Sequence, residues 1–398
     1  MIVYALINKE VIPYICDKKK VTADFLHERT QLPVSRLNAW LDIKNPLLPT
    51  INQAKKLAAV LHVPFAGLYM NTADIPVRTL PSPKNFRSME GRTHIDDSGL
   101  NIAISDVLLE RDFLMEQQRE LKLPSIQLDI PICNSDDPAE WASMIRDYFN
   151  IDLDVQYKSG SARQFYLYLR NTLESHGIFV QCFTDVPVEV ARGFSIYEND
   201  LPIIGINDED RPPAKSFTLI HELVHLLKRE STICNVMFNA KAAQAEEVFC
   251  NAVAGELLVP RQALAILIKN KSMKNPFSLE NISEIAKRFS VSREVIIRRL
   301  LDTQYIDNIE YNAYADELRR EIEQAREEQK ILRKNGLKTG IPRDISREVI
   351  DRTSPAVSKL LYYGLCEDVF SKRDIAHHLG IAQKHVDKWI KDVSKWNS

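Results

Sequence analysis

The feature that most constrains this chain is an apolar segment, residues 217–227, that reads FTLIHELVHLL and contains the pattern H-E-x-x-H. On a helix, His221 and His225 lie one turn apart, so both imidazoles project from the same face and can bind one metal ion. Glu222 then lies beside the ion, where it can act as general base on a water molecule. Because apolar residues fill most other positions, the segment predicts a buried helix.

A third metal ligand is expected from a second helix downstream. Residues 245–260 read AEEVFCNAVAGELLVP and predict a helix that ends at Pro260. A zinc site of the two-His-one-Glu type takes its carboxylate from such a neighbouring helix. Glu247 is the predicted ligand, because Asn251 lies one turn later and can orient a ligand histidine, and Glu246 is the alternative. Two buried histidines on an ordinary core helix are the competing interpretation.

Four segments carry a resemblance to a known family. They are GFS at 193–195, PIIGIN at 202–207, FTLIHELVH at 217–225 and the second helix at 247–260. Together they resemble the ImmA/IrrE family of metallopeptidases, whose second helix usually reads E-x-x-A-N-x-F-A-A-x-L-L-M-P. Here Cys250, Val253 and Val259 replace the family's Ala, Phe and Met, and none of these changes removes a ligand. The resemblance covers roughly residues 130–300.

The resemblance implies a zinc-dependent endopeptidase. The family position that supplies the third Zn²⁺ ligand falls on Glu247, next to His221 and His225, and Glu222 takes the catalytic position. Family members often cleave a helix-turn-helix repressor and so relieve transcriptional repression. The implied partner is therefore a regulatory DNA-binding protein, although the motif does not identify it. Zinc is preferred over iron or manganese on ligand type and on the resemblance.

Length and composition describe a multi-domain soluble protein. At 398 residues the chain is too long for one ordinary core, and about two to four domains are expected. No apolar run approaches the ~20 residues of a membrane span, and the N-terminus lacks a signal-peptide pattern. The six cysteines are scattered without a C-x-x-C pair, which favours reduced thiols. The sequence therefore predicts a cytoplasmic protein without membrane contacts.

The N-terminal residues have the pattern of a helix-turn-helix domain. Residues 21–30 predict a helix with a Thr cap, residues 34–41 a second short helix, and residues 51–61 a third. This arrangement resembles the Xre/Cro type of DNA-binding domain. Nine Lys and Arg against five Asp and Glu give residues 1–70 a charge of +4, whereas the whole chain has −2. The segment is therefore the basic end of the protein.

If this domain binds DNA, four residues are the predicted groove and phosphate contacts: Ser35, Arg36, Asn38 and Lys44. Arginine reads guanine edges well, and asparagine reads adenine edges. The alternative is a helix-turn-helix fold that serves as a protein–protein or autoinhibitory module, because a charge of +4 is modest.

Three short strands are predicted upstream of the H-E-x-x-H helix. They cover residues 178–183, 192–197 and 202–206, with a hairpin turn at 198–200. A small sheet beside that helix predicts an α+β, zincin-like domain. Zincin-like sites can bind an extended peptide by strand addition, so Gly193, Phe194 and Ser195 are predicted as the peptide-binding edge strand.

The predicted fold class is α+β and multi-domain. An amphipathic helix is expected over residues 104–122 and a charged, solvated helix over residues 316–330. The predicted domains are a helix-turn-helix domain at 1–75, a linker with an amphipathic helix at 76–125, the metallopeptidase at 126–305, a charged helix and connection at 306–340, and an all-α C-terminal domain at 341–398.

Two other functions compete with the peptidase. The first is a non-proteolytic transcription regulator with a sensory or structural metal, which a fourth ligand such as Cys234 or Cys250 would favour. The second is a toxin–antitoxin or phage-type regulatory component that acts through partner binding. A homodimer is compatible with each of these functions.

Overall fold

The computed structural model describes residues 3–75, 77, 80, 84–85, 96–124, 133, 135–229, 231–234, 245–270, 277–334 and 343–396. Eighteen α-helices and five β-strands lie within these ranges. The helices form an N-terminal bundle, surround one small sheet and continue into a C-terminal group. The predicted α+β, multi-domain class is confirmed.

The N-terminal unit is a bundle of short helices, and the helices that the sequence predicted there are confirmed. Thr22 caps the second helix by accepting a hydrogen bond from Phe25 N, at 3.1 Å. Thr50 and Gln53 form a capping box at the start of the fourth helix. The helices are α1 (Val11–Lys19), α2 (Ala23–Thr30), α3 (Val34–Leu41) and α4 (Ile51–Val60), followed by two 3-10 turns (Phe65–Tyr69 and Thr72–Asp74).

Helix α5 (Ser98–Glu120) joins the N-terminal unit to the rest of the protein. It begins at Ser98 instead of Ile104, and much of the predicted linker before it lies outside the described residues. Ile102 belongs to the N-terminal apolar cluster, whereas Ile104 and Val107 belong to a cluster shared with the sheet. Helix α5 therefore packs on two sides, which its mixed pattern of apolar and charged residues did not reveal.

Five strands form one sheet in the order β1-β5-β3-β4-β2. They are β1 (Lys84–Asn85), β2 (Phe179–Phe183), β3 (Gly193–Ile196), β4 (Ile203–Asn207) and β5 (Thr232–Cys234). Strand β3 is antiparallel to both neighbours, while β2 is parallel to β4 and β1 is parallel to β5. A Cβ on Gly205 would lie 2.2 Å from the ring of Phe194 opposite it, so glycine is required to admit that ring.

Gly193, Phe194 and Ser195 lie in an interior strand, so the prediction that they form a peptide-binding edge is wrong. Strand β3 pairs with β4 on one side, and the same three residues pair with β5 on the other. Their backbone groups on both sides are therefore engaged in the sheet. The error arose because β5 has only three residues and follows the H-E-x-x-H helix, where no alternating pattern marks it.

The helix that carries H-E-x-x-H is surrounded by the sheet and its neighbouring helices. Helix α9 (Pro212–Leu227) contacts β3 and β4 of the sheet and also the helices α8 (Ala162–Ser175) and α10 (Ala245–Leu258). Every residue from Lys215 to Leu227 is buried, as the apolar pattern predicted. The surrounding helices are α6 (Pro138–Phe149), α7 (Leu153–Lys158), α8 (Ala162–Ser175), α10 (Ala245–Leu258), α11 (Arg261–Asn270), α12 (Leu279–Phe289) and α13 (Arg293–Asp302).

The C-terminal helices complete the core on one face of the sheet. Helix α16 (Pro355–Cys366) packs against α5 and α8, and α15 (Ile345–Arg352) packs against β2. Trp389 of the last helix belongs to the same apolar cluster as Phe179 and Phe183 of β2. The helices are α14 (Asn308–Lys334), α15 (Ile345–Arg352), α16 (Pro355–Cys366), α17 (Lys372–His378) and α18 (Val386–Ser394).

Glu174 is buried where α8 meets α16. Its carboxylate accepts hydrogen bonds from Val180 N at 3.2 Å, Ser354 Oγ at 2.6 Å and Ala356 N at 2.7 Å. Burial raises the pKa of Glu174 to about 7, although these hydrogen bonds and the nearby Arg170 act to lower it.

The raised pKa predicts a pH dependence of stability. The folded protein keeps a proton on Glu174 that the unfolded chain loses above its ordinary pKa of 4.5. The resulting contribution to the free energy of unfolding is complete below pH 4.5 and is lost as the pH rises through about 7. The loss amounts to at most about 3 kcal/mol. We expect Glu174→Gln to remove it, which urea unfolding of both proteins between pH 4.5 and 8 measures. Equal pH slopes would contradict the assignment.

Among the described helices, none alone has the length and hydropathy to cross a membrane, while α10 and α11 meet those criteria only as a pair bent by 49°. Cys16, Cys133, Cys182, Cys250 and Cys366, the cysteines whose side chains are described, are all free.

Candidate metal centre

Helix α9 presents His221 and His225 on one face, and both side chains are fully buried. The close approach of β3 to this helix depends on Gly193. A Cβ at that position would lie 2.5 Å from Thr218 Cγ2 and 3.3 Å from Glu222 Cγ, so any other residue would displace the helix or the strand. The sequence predicted Gly193 as part of a peptide-binding edge strand. In the structure, its lack of a side chain allows β3 to pack closely against α9.

Three ligand atoms converge in the space between α9 and α10. Nε2 of His225 lies 3.2 Å from Nε2 of His221 and 3.0 Å from Oε1 of Glu247. Nε2 of His221 lies 3.4 Å from Oε2 of Glu247. In a tetrahedral zinc site with bonds of about 2.0–2.1 Å, ligand atoms lie about 3.3–3.4 Å apart. The three side chains therefore fit one tetrahedral face around a metal ion.

The electrostatics of these groups also suit a cation. Burial acts to lower the pKa of His225, but hydrogen bonds to Cys250 and Glu247 raise it to about 10. Burial acts to raise the pKa of Glu247, yet the two histidines hold it well below its usual range. The interior of this site therefore favours a positive charge opposite the Glu247 carboxylate, and a divalent ion supplies that charge.

Glu222 is fully buried beside this triad and is held by one of its two oxygens. Oε2 accepts a hydrogen bond from Thr232 Oγ1 at 3.1 Å, and that hydroxyl lies 2.7 Å from Ser195 Oγ. Oε1 is buried and has no hydrogen-bond partner among the described residues. Burial raises the pKa of Glu222, while the charges of His221 and His225 act to lower it. One oxygen is thus fixed and the other is free to receive a proton.

The two acidic candidates on α10 occupy different places. Glu247 reaches the Nε2 atoms of both histidines, whereas Oε1 of Glu246 lies 3.8 Å from Nδ1 of His225 and 3.6 Å from Lys228 Nζ. The carboxylate of Glu246 is therefore on the far side of the His225 ring. The geometry brings Glu247 into the candidate ligand set, as the sequence predicted.

The predicted role of Asn251 as an orienting residue stays a prediction. Its Oδ1 is buried without a hydrogen-bond partner among the described residues. Near Nδ1 of His225 lies Cys250 instead, whose Sγ is 3.8 Å away. The Cys250 thiol lies beside Nδ1 of His225, whereas the candidate ligand atom of that ring is Nε2. Cys250 is therefore not positioned to act as a fourth ligand. The side chain of Cys234, the other proposed fourth ligand, lies outside the described residues.

The sequence did not identify Thr232 as the hydrogen-bond partner of Glu222. It assigned Ser195, whose hydroxyl lies next to that of Thr232, to a peptide-binding edge strand. The two hydroxyls come from β5 and β3, which are paired through Ser195 and Thr232. Thr232 lies ten residues after Glu222 in a segment without helical spacing to it, so no local pattern links the two side chains. The pairing of two strands across the sheet creates the contact.

We expect Thr232→Val to lower the turnover of the peptide-cleavage reaction expected here by about 10- to 100-fold without removing the metal. Valine keeps the shape of threonine but donates no hydrogen bond, so the Glu222 carboxylate loses its fixed orientation. Thr232→Ser, the matched control, retains the hydroxyl and should retain most activity. Steady-state kinetics should show the loss in kcat with KM little changed, and equal losses in both variants would contradict the positioning role.

The predicted DNA contacts lie on the surface of the N-terminal unit. Ser35, Arg36 and Asn38 are exposed on α3, and Lys44 is exposed in the loop that follows it. Buried Leu37 and Trp40 attach the opposite face of α3 to the core of the bundle. The four polar side chains are therefore free of the protein interior, as a DNA-reading helix requires.

Residues 173–301 match the Peptidase M78 family model, described as the IrrE N-terminal-like domain. The matched segment contains α9, α10 and strands β2 to β5, and so the whole candidate metal centre. The match supports a metallopeptidase of the ImmA/IrrE type for this part of the chain. Comparison of the chain with curated proteins and with solved structures gave no match.

Proposed function

We propose that this protein is a zinc-dependent endopeptidase of the gluzincin type. The observation that carries the proposal is the convergence of His221, His225 and Glu247 beside a buried Glu222 whose Oε1 is unengaged. The family match over residues 173–301 independently supports peptidase chemistry for the same segment. Two imidazoles and one carboxylate at tetrahedral spacing are a donor set typical of catalytic zinc, which keeps its fourth position for water or substrate.

In this proposal the zinc ion, when bound, polarises the scissile carbonyl and makes water more acidic. The protein's own groups then carry the proton. Oε1 of Glu222 accepts it from the attacking water and later donates it to the departing amine. Thr232 holds Oε2 so that Oε1 keeps its direction through both transfers, and the apolar surroundings of α9 exclude bulk water.

We infer that the substrate is a regulatory protein, with a DNA-binding repressor as the leading candidate. The inference is supported by the family resemblance and by the helix-turn-helix domain that the sequence predicts in the same chain. Because β3 is interior, an extended substrate does not pair with Gly193–Ser195 and must enter the site by another route.

The first experiment measures bound metal and cleavage of a panel of purified helix-turn-helix repressors. One zinc ion per chain is expected, with cleavage that a chelator abolishes and added zinc restores. Zinc without cleavage of any repressor would refute the proposed substrate class, and a protein that binds no metal would refute the enzyme. Both measurements use the full-length chain.

We also propose that the N-terminal unit binds DNA through the exposed surface of α3. Arg36→Ala should weaken binding to a preferred site by about 1–3 kcal/mol, since a base contact is lost. Lys44→Ala should weaken binding to all sequences and reduce the salt slope by about one. Lys55→Gln, which removes the same charge from α4, is the control. Fluorescence anisotropy over a salt series measures these effects, and salt-independent binding would contradict the proposal.

A further inference from the structure

A large cavity lies between the N-terminal unit, the end of β2 and the C-terminal helices. Its volume is about 570 Å³, within the range of about 300–1,000 Å³ that is usual for small-molecule sites. One face of α5 from Gly99 to Glu110 forms its floor, so the cavity runs about 16 Å along that helix. Junctions between domains are common positions for ligand sites. The candidate metal centre contributes no residue to this cavity.

Asp106 and Glu110, on the α5 face of the cavity wall, already have partners within the protein. Oδ2 of Asp106 lies 2.5 Å from His62 Nδ1, and its Oδ1 lies 3.4 Å from the buried ammonium of Lys19. Oε1 of Glu110 lies 2.9 Å from His378 Nε2. These carboxylates link the surrounding helices, and their oxygens are engaged within the protein.

Two arginines of the cavity wall bond to backbone oxygens instead of to carboxylates. Arg29 of α2 donates to the backbone oxygen of Asp185 at 2.9 Å, and Arg352 of α15 donates to the backbone oxygen of Leu379 at 3.3 Å. Among the described residues, no carboxylate forms an ion pair with either guanidinium. The carboxylate of Asp185 accepts a hydrogen bond from the Thr184 hydroxyl. Each guanidinium retains N–H groups for a ligand.

The edge of the sheet adds a further donor. Phe179 N donates to Pro202 O and Phe183 O accepts from Asp208 N, the residues that flank β4, and the backbone groups of successive residues on a strand point in alternate directions. The amide of Cys182 therefore faces the outer edge of β2, on the cavity side, and no described residue accepts a hydrogen bond from it. The Cys182 side chain contacts Tyr166 instead, with Sγ 3.4 Å from Oη.

We propose that this cavity binds a small organic anion that carries a carboxylate or phosphate group and an apolar body. Arg29, Arg352 and the Cys182 amide supply donors to the anionic group, and Ala103 and Val107 of α5 supply an apolar floor. Because Arg29 belongs to the N-terminal unit and Arg352 to the C-terminal helices, a bound anion bridges the two. Its occupancy therefore stabilises their docked arrangement and acts as an effector of the protein. The proposal does not depend on peptidase activity.

Isothermal titration calorimetry of the full-length protein tests the site with two anionic probes and one neutral probe. Citrate represents the carboxylate class, adenosine monophosphate represents the phosphate class, and adenosine is the neutral analogue. We expect one of the two anions to bind with a stoichiometry of one, and adenosine not to bind. Arg29→Gln and Arg352→Gln should each weaken binding by at least about tenfold, since each removes a charge-assisted hydrogen bond.

Arg347→Gln is the matched control, because it removes an exposed arginine from the same helix as Arg352 without touching the cavity. Its affinity for the anion should equal that of the wild type. The proposal is overturned if neither anion binds, if binding survives both cavity substitutions, or if the control weakens binding as much as Arg352→Gln does. The probe that binds distinguishes a carboxylate from a phosphate ligand.

Discussion

Glu222→Gln is expected to slow peptide cleavage by about 10²- to 10⁴-fold while zinc stays bound at full stoichiometry. Glutamine occupies the same volume as glutamate, and its amide oxygen can still accept the hydrogen bond from Thr232. An amide cannot accept a proton from water at neutral pH, so the general-base step is lost. Such steps contribute about 10²- to 10⁴-fold, and a loss in kcat of this size is expected. Cleavage assays and metal analysis on the same preparation measure both quantities.

His221→Ala is the companion variant, because it should lose metal and activity together. The contrast separates a failure of proton transfer from a failure of metal binding. A Glu222→Gln protein that cleaves at the wild-type rate would rule out Glu222 as the base. Loss of zinc in that variant would instead show that Glu222 helps to hold the ion, although it does not belong to the candidate ligand group of His221, His225 and Glu247.

The parts of the site that lie on helices could be predicted because helical spacing is local. His221 and His225 are one turn apart in the chain and therefore adjacent in space, whatever the surrounding fold. The apolar run around them required burial, and the structure buries α9 between the sheet and two helices. Glu247 followed from the need for a neighbouring carboxylate and from the family's pattern, and α10 places it beside both histidines.

The parts that depend on strand pairing could not be predicted. Thr232 reaches Glu222 only because β5 pairs with β3, and a three-residue strand carries too little pattern to reveal its partner. The same pairing made Gly193–Ser195 an interior strand and overturned the predicted edge. Likewise, α5 packs against two apolar clusters at once, which depends on the position of the C-terminal helices and not on its own periodicity.

The second large effect is expected from two neighbouring glutamates that receive the same substitution. Glu247→Gln should weaken zinc binding by more than about 100-fold, because a neutral amide replaces the carboxylate that faces both Nε2 atoms, and removal of even an outer partner costs 10- to 100-fold. Glu246→Gln should change zinc affinity little, since its carboxylate lies on the Nδ1 side of His225 near Lys228. Competition with a chromophoric chelator measures both affinities.

The pair is informative because the two variants share one helix, one chemical change and one change in net charge. A general loss of negative charge near the ion would weaken zinc binding in both, whereas direct ligation predicts a loss confined to Glu247→Gln. Equal losses would refute ligation by Glu247 alone, and a loss confined to Glu246→Gln would transfer the ligand to the neighbouring residue. In that case α10 would have to rotate by about 100°, the angle between adjacent side chains on a helix, and Cys250 would leave its place beside His225.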